Sequence, residues 1–310
     1  MRRAWVLLAL AAFSVSLVTA PVSGGEDPPA SPLGTNLAHV TDFTAEYPFV
    51  NHFKQAREWI SGNGRTGAFD DGRALELDGK GYVTKLKRDQ VARTVMFTGT
   101  PVDPALVERH FILTHTGKGS FSYGGSVSVV EDGPNRDVIA LETPAPDGEQ
   151  TVIITLTRTS PRNPVRNIKL VPTGGICTSD PFDRSDGPED CPSDDFVSFE
   201  TATDEIRFNP VFLDRIRGYS SIRFMDWMRT NDSPIKMFSQ RAKVKDAFWS
   251  TEAGVPLEIM IELANLLGVD PWFNIPHRAD DDFVRGFAKI VRDRLEIDLR
   301  PYFEYSNEVW

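Results

Sequence analysis

The sequence predicts an α/β protein: the first half of a (β/α)8 TIM-type barrel carrying an inserted antiparallel β-sandwich-like module. Three observations lead there. Residues 209–310 alternate strand-like and helix-like runs, the pattern of parallel βα units. Residues 62–172 instead string together short β-branched and aromatic runs separated by Gly, Pro, Asn and Asp. Ahead of them, residues 33–61 offer a strand, "LGTNLAHV", and then a candidate helix with Phe49, Phe53, Ala56 and Ile60 at helical spacing.

The chain of 310 residues, 40% of them apolar, has room for one large domain or two ordinary ones and can bury a substantial core. A formal net charge of −10 argues against nucleic acid as a partner, because phosphate contacts need clustered Lys and Arg. Residues 1–20 have the form of a secretory signal peptide: Arg2 and Arg3, an apolar run over residues 4–18, then Thr19-Ala20 before Pro21. That run is shorter than the roughly 20 residues of a membrane-spanning helix, so cleavage and export are expected, with no membrane association afterwards. Residues 21–32, containing "GEDPPASP", read as a flexible linker.

Export permits a disulfide, and the two cysteines bracket one short loop, "CTSDPFDRSDGPEDC", within the acidic segment 173–208. A Cys177–Cys191 bridge is therefore expected, and closing a loop of this size contributes about 3 kcal/mol in the chain-entropy account. Asp180, Asp183, Asp186 and Glu189 are hard oxygen ligands, but their spacing does not fit the twelve-residue calcium loop. His110 and His115 lack an evident third ligand. No metal and no cofactor is expected.

In the final third, "NPVFLDRIRGY" reads as a short helix with Pro210 in its first turn. "SSIRFMDW" is a strand. "GVPLEIMIELANLLG" is an amphipathic helix with Leu257, Met260, Ile261, Ala264 and Leu267 on one side and Gly268 as its cap. "DPWFNIP" is a strand with Trp272 in its buried middle. "DDDFVRGFAKIVRDRL" is a helix whose opening aspartates suit an N-cap and the positive end of the dipole. "PYFEYSNEVW" is the fourth strand. Four βα units leave open parallel edges, so the chain is expected to be the N-terminal part of a longer protein.

Reactive residues of a βα barrel lie at the C-terminal strand ends. Those ends carry His39, Thr41 and Asp42; then Arg223, Asp226 and Trp227, with Arg229 and Asn231 beyond; then His277; and finally Asn307, Glu308 and Trp310. Carboxylates, amides, Arg and His gathered with tryptophans suit a sugar, whose ring faces stack on indole while its hydroxyls need polar partners. Glycoside cleavage needs one carboxylic acid to protonate the leaving oxygen and a second carboxylate as nucleophile or base. Glu308 is the candidate acid, and Asn307 a candidate partner for the sugar 2-hydroxyl. Arg223 has the alternative of pairing with Asp226 or Glu308.

The Asn307-Glu308 pair at a strand end resembles the acid/base signature of clan A retaining glycoside hydrolases, the group including cellulases and mannanases. The segments "IRFMDWMRTNDSP", "GVPLEIMIELANLLGVDPWFNIPHRADDDFVRGFAKIVRD" and "YFEYSNEVW" resemble secreted bacterial proteins described as cellulose-binding proteins or glycosidases. The resemblance implies retaining hydrolysis of a β-linked polysaccharide or oligosaccharide, with Glu308 as acid/base and Asn307 on the substrate hydroxyl. It implies that Arg223 orients the nucleophile carboxylate and that His277 contacts substrate, with His39, Asp226, Trp227 and Trp310 as further substrate-binding candidates. The clan's nucleophile comes from a seventh strand, so this stretch by itself is expected to be inactive. The alternative is a non-catalytic secreted carbohydrate-binding protein.

Overall fold

The computed structural model describes residues 31–99, 110–142, 150–192 and 194–308. The expected signal peptide and most of the linker lie outside these residues, as does Trp310.

In chain order, strand β1 (Ser31–Asn36) leads to a single 3-10 turn at His52–Gln55. Ten strands follow: β2 (Ile60–Asn63), β3 (Glu76–Leu77), β4 (Val83–Lys85), β5 (Gln90–Met96), β6 (His110–Thr116), β7 (Gly119–Gly125), β8 (Val127–Gly133), β9 (Arg136–Leu141), β10 (Val152–Thr159) and β11 (Arg166–Pro172). The cysteine segment adds β12 (Gly175–Cys177), β13 (Asp180–Ser185) and β14 (Phe196–Ser198). Helix α1 (Pro210–Ile216), β15 (Tyr219–Arg223), helix α2 (Leu257–Leu267), β16 (Asp270–Ile275), helix α3 (Asp281–Arg294) and β17 (Tyr302–Tyr305) complete the described chain.

The half-barrel expectation fails. Thirteen of the seventeen described strands lie in antiparallel sheets, and the described residues form three α-helices. Among the described strands, only β1, β15, β16 and β17 run parallel, in that order, as an open four-stranded sheet. Alternation of strand and helix fixes parallel pairing, but it does not specify strand tilt, stagger or closure, which depend on the whole sheet. The helix expected after the first strand is also absent over residues 49–60. Phe49 packs into the core of the parallel layer, Val50 into a small third cluster, and Phe53 and Ala56 into the antiparallel core. A segment buried on several sides by different neighbours satisfies its apolar residues without a helical face, so their helical spacing misleads.

The antiparallel body consists of two sheets, β2-β5-β10-β7 and β11-β6-β9-β8. Alternate residues point into the shared core: Val152, Ile154 and Leu156 from β10, Phe111 and Leu113 from β6, and Ile168 and Leu170 from β11. Each such side chain, fully buried, stabilises by about 1.5–3 kcal/mol relative to exposure. The outward face of the second sheet is covered too. Ile112, Val138 and Val171 pack with Ile176 and Phe199 of the cysteine segment. That segment holds the Cys177–Cys191 disulfide and pairs β12 with both β13 and β14, so it is an ordered three-stranded sheet.

His52 lies fully buried against the antiparallel core, with ring centroids of Tyr47, Phe97 and Phe111 at 5.9, 5.5 and 5.4 Å. Neither ring nitrogen has a hydrogen-bond partner, and burial pushes the imidazole down from its ordinary 6.5 to about 3. Below pH 6.5 the unfolded chain takes up a proton that the folded chain refuses. Stability should therefore fall with decreasing pH by up to about 1.4 kcal/mol per unit from this group, or roughly 2.7 kcal/mol by pH 4.5. Urea melts at neutral and acid pH should show a shallower decline for His52→Phe than for the native chain. Equal slopes would remove His52 as a cause of acid sensitivity.

In the parallel layer, α2 and α3 pack Leu257, Met260, Ile261, Phe283, Phe287 and Val291 against Ile222, Phe224 and Phe273 of the sheet. Gly268 closes α2 in the left-handed conformation at φ +65°. Asp280 caps α3, its carboxylate accepting from Phe283 N at 2.8 Å. Parallel sheets are usually covered on both faces. Here the helices take one face, and the other carries polar side chains.

Candidate functional site

Strand register builds that polar face. Asn36 on β1 stands beside Arg223 on β15, Arg223 beside Trp272 on β16, and Trp272 beside Tyr302 on β17. One step further, Asn274 stands beside Glu304. Because successive strand residues point to opposite faces, Arg223, Trp272, Asn274 and Glu304 share one side while Ile222 and Phe273 face the helices.

Arg223 is the hub. Its Nη2 donates to Glu304 Oε2 at 2.7 Å and to Asn307 Oδ1 at 2.8 Å, and its Nε donates to Glu304 Oε2 at 3.2 Å. The guanidinium carbon lies 5.3 Å from the Trp272 ring centroid, a cation–π distance. Glu304 Oε2 also accepts from Trp272 Nε1 at 3.0 Å and Asn274 Nδ2 at 2.7 Å. A carboxylate so surrounded is held in one orientation. The side chains of Arg223 and Glu304 remain 22% and 27% exposed, so the cluster is open to a ligand.

Ser306 delivers the next residue. It adopts φ +59°, uncommon for a residue with a Cβ, and is fixed by Ser306 N donating to Ile275 O at 2.8 Å and by Asn274 Nδ2 donating to Ser306 O at 2.8 Å. The chain thereby turns out of β17 and sets Asn307 against Arg223, with Asn307 Nδ2 donating to Asn231 Oδ1 at 3.1 Å. Glu308 follows, exposed, and among the described residues it has no hydrogen-bond or ion-pair partner.

A second group adjoins Arg223 across the sheet. Asn36 Nδ2 donates to Asp226 Oδ2 at 2.8 Å, and His39 Nε2 lies 3.0 Å from Asp226 Oδ1. Glu46 accepts from Ala38 N at 3.0 Å while its other oxygen is buried without a partner. Burial, reinforced by the charge of Asp226, holds the Glu46 carboxyl above its ordinary range. This edge therefore offers a fixed carboxylate in Glu304, a group suited to holding a proton in Glu46, and several amides.

The sequence-predicted residues distribute as follows. Arg223 and Asn307 meet directly; His39 and Asp226 form the adjoining pair. Arg223 pairs with neither Asp226 nor Glu308 but with Glu304. Trp227 is a correction: it is fully buried against Phe49, Phe212 and Phe224 and offers no surface to a sugar. Trp272 is the converse, expected in a buried strand middle but 38% exposed. The His277 ring is exposed, and that residue's tie to the site is its carbonyl, which accepts from Tyr305 OH at 2.7 Å. Asp42 turns away to pair with Arg57 at 2.7 Å. Trp310 lies outside the described residues. Among the described residues, the one group with metal-ligand spacing is Cys177, Cys191 and Asp195, whose two sulfurs are spent in the disulfide.

Sequence reading missed Glu304, Asn274, Asn36 and Glu46. A signal existed for Glu304: a lone carboxylate inside "YFEY" needs a cation in the same sheet. Arg223 is such a cation, two strands away.

No protein-family model matches the chain, and neither does any curated protein or solved structure compared with it. What the site defines is a class: an open polar sheet edge built from Arg, carboxylates, amides and a half-exposed indole.

Proposed function

We propose that this is an exported, saccharide-directed protein whose polar sheet edge binds a β-linked glycan for retaining hydrolysis, with Glu308 as the acid/base. The observation that carries the reading is the Arg223 assembly, which fixes Asn307 between Arg223 and Asn231 and leaves Glu308 exposed next to it. Trp272, exposed beside the guanidinium, offers indole surface to a sugar ring, and Asn307, Asn231 and Asp226 are partners for hydroxyls. In the first step Glu308 would donate its proton to the leaving glycosidic oxygen as a second carboxylate bonds the anomeric carbon. In the next, Glu308 would take a proton from the water that displaces that carboxylate. Glu304 is committed to Arg223, Trp272 and Asn274, which suits positioning rather than attack. The Cys177–Cys191 disulfide supports export to an oxidising compartment.

Non-catalytic glycan binding is the second reading, favoured by the lack, among the described residues, of a partner that would orient Glu308. Assays of reducing-end release and of retention on insoluble β-linked polysaccharides separate the two. In a chain that also supplies the nucleophile carboxylate, release is the expected result. Retention without release from such a chain selects the binding reading, and neither release nor retention overturns both.

A further inference from the structure

A second concave region lies away from the polar sheet edge, between the antiparallel body and the chain leading into α1. Its volume is about 730 Å3, within the range of ~300–1,000 Å3 typical of small-ligand sites. Five cationic side chains line it: Lys54, Lys80, Lys169, Lys245 and Arg207. Against them stand two carboxylates, Glu200 and Asp204. In a chain of net charge −10, a recess with this excess of cations stands out electrostatically.

The cations are not all spent internally. Lys169 pairs with Asp204 at 3.0 Å and Arg207 with Glu262 at 2.9 Å. Lys54 forms the floor, its ammonium 5.0 Å from the Trp249 ring centroid and hydrogen-bonded to the carbonyls of Val244 and Asp246. Burial pushes Lys54 down to about 8, a cost that the charges of Asp246 and Asp204 offset only in part and that a further anion nearby would relieve. Lys80 and Lys245 are exposed at the mouth, and among the described residues neither ammonium has a partner. Between the charges, the walls carry Asn51, Asn167, Thr114 and Thr116, neutral donors and acceptors of the kind that hydroxyls use.

We propose that this cleft is a binding site for an anionic saccharide chain, whose carboxylates meet Lys80, Lys245 and the deeper cations while its hydroxyls meet the amide and threonine side chains. A lone small anion would leave most of the volume and the neutral walls unused, and a neutral sugar would leave the mouth lysines unpaired. The inference does not depend on hydrolysis at the sheet edge.

Calorimetric titration of the full chain with oligogalacturonate, beside a neutral cello-oligosaccharide of equal length, tests it. Oligogalacturonate should bind at low salt and weaken as salt is raised. The double variant Lys80→Glu/Lys245→Glu changes two exposed side chains and should weaken that binding at least tenfold. Trp272→Ala, at the sheet edge, should leave it unchanged. Absence of oligogalacturonate binding, indifference to the double variant, or equal sensitivity of the neutral chain to that variant would each overturn the proposal.

Discussion

In a chain that also supplies the nucleophile carboxylate, Glu308→Gln should lower hydrolysis of an unactivated β-glycan by about a thousandfold while leaving glycan binding within a few fold of native. General acid–base assistance is worth ~10^2–10^4 in rate, and a thousandfold loss corresponds to roughly 4 kcal/mol in the barrier. Glutamine keeps the shape and polarity of the side chain but cannot donate the proton that the departing sugar oxygen requires. Glu308 is exposed and unpaired among the described residues, so the substitution has little stability to disturb. An aryl glycoside with a good leaving group should lose far less in its first step, because its oxygen departs without protonation. Unchanged turnover on the unactivated glycan would remove Glu308 from the mechanism.

Trp227→Ala should behave in the opposite way, destabilising by about 3–5 kcal/mol, the range for removing a large aromatic from a well-packed core. For domains of this size that corresponds to a fall in Tm of roughly 6–20 °C. The ring is fully buried, with centroids 5.3 Å from Phe49, 5.6 Å from Phe224 and 6.4 Å from Phe212. Its backbone carbonyl is equally hemmed in: Val255 N donates to it at 2.8 Å, and a Cβ on Gly254, at φ +71°, would lie 2.2 Å from it. Little relaxation can fill the space left behind. At temperatures where the variant is folded, glycan binding should persist. Native stability combined with lost binding would instead make Trp227 a sugar platform.

Trp227 and Trp272 show how far the sequence was legible. Both stand in apolar runs, and nothing local distinguishes them. Trp272 lies on the strand face opposite Phe273, where no helix covers it, while Trp227 follows the end of β15 and folds back under the aromatic cluster around Phe49. Which face receives helices is decided by packing, not by the identity of the tryptophan. The same holds for the short stretch after β1, whose helical spacing gave way because three separate cores claim its side chains.

The amino-acid sequence by itself determined the local elements whose signals are local. The cysteine spacing led to the disulfide, and short β-branched and aromatic runs between turn residues led to the antiparallel strands. The aspartate at the start of α3 and the glycine at the end of α2 fixed those helix ends. It also determined that Arg223 and Asn307 carry chemistry worth inspecting. Only the tertiary structure decided that the parallel strands form an open sheet of four, that one face stays polar, and that Arg223 holds Glu304 and Asn307 together across sequence separations of 81 and 84. Hydrogen-bonded periodicity is written in neighbouring residues. Closure, coverage and ion pairing depend on which distant surfaces meet, and that depends on the free energy of the whole packed chain.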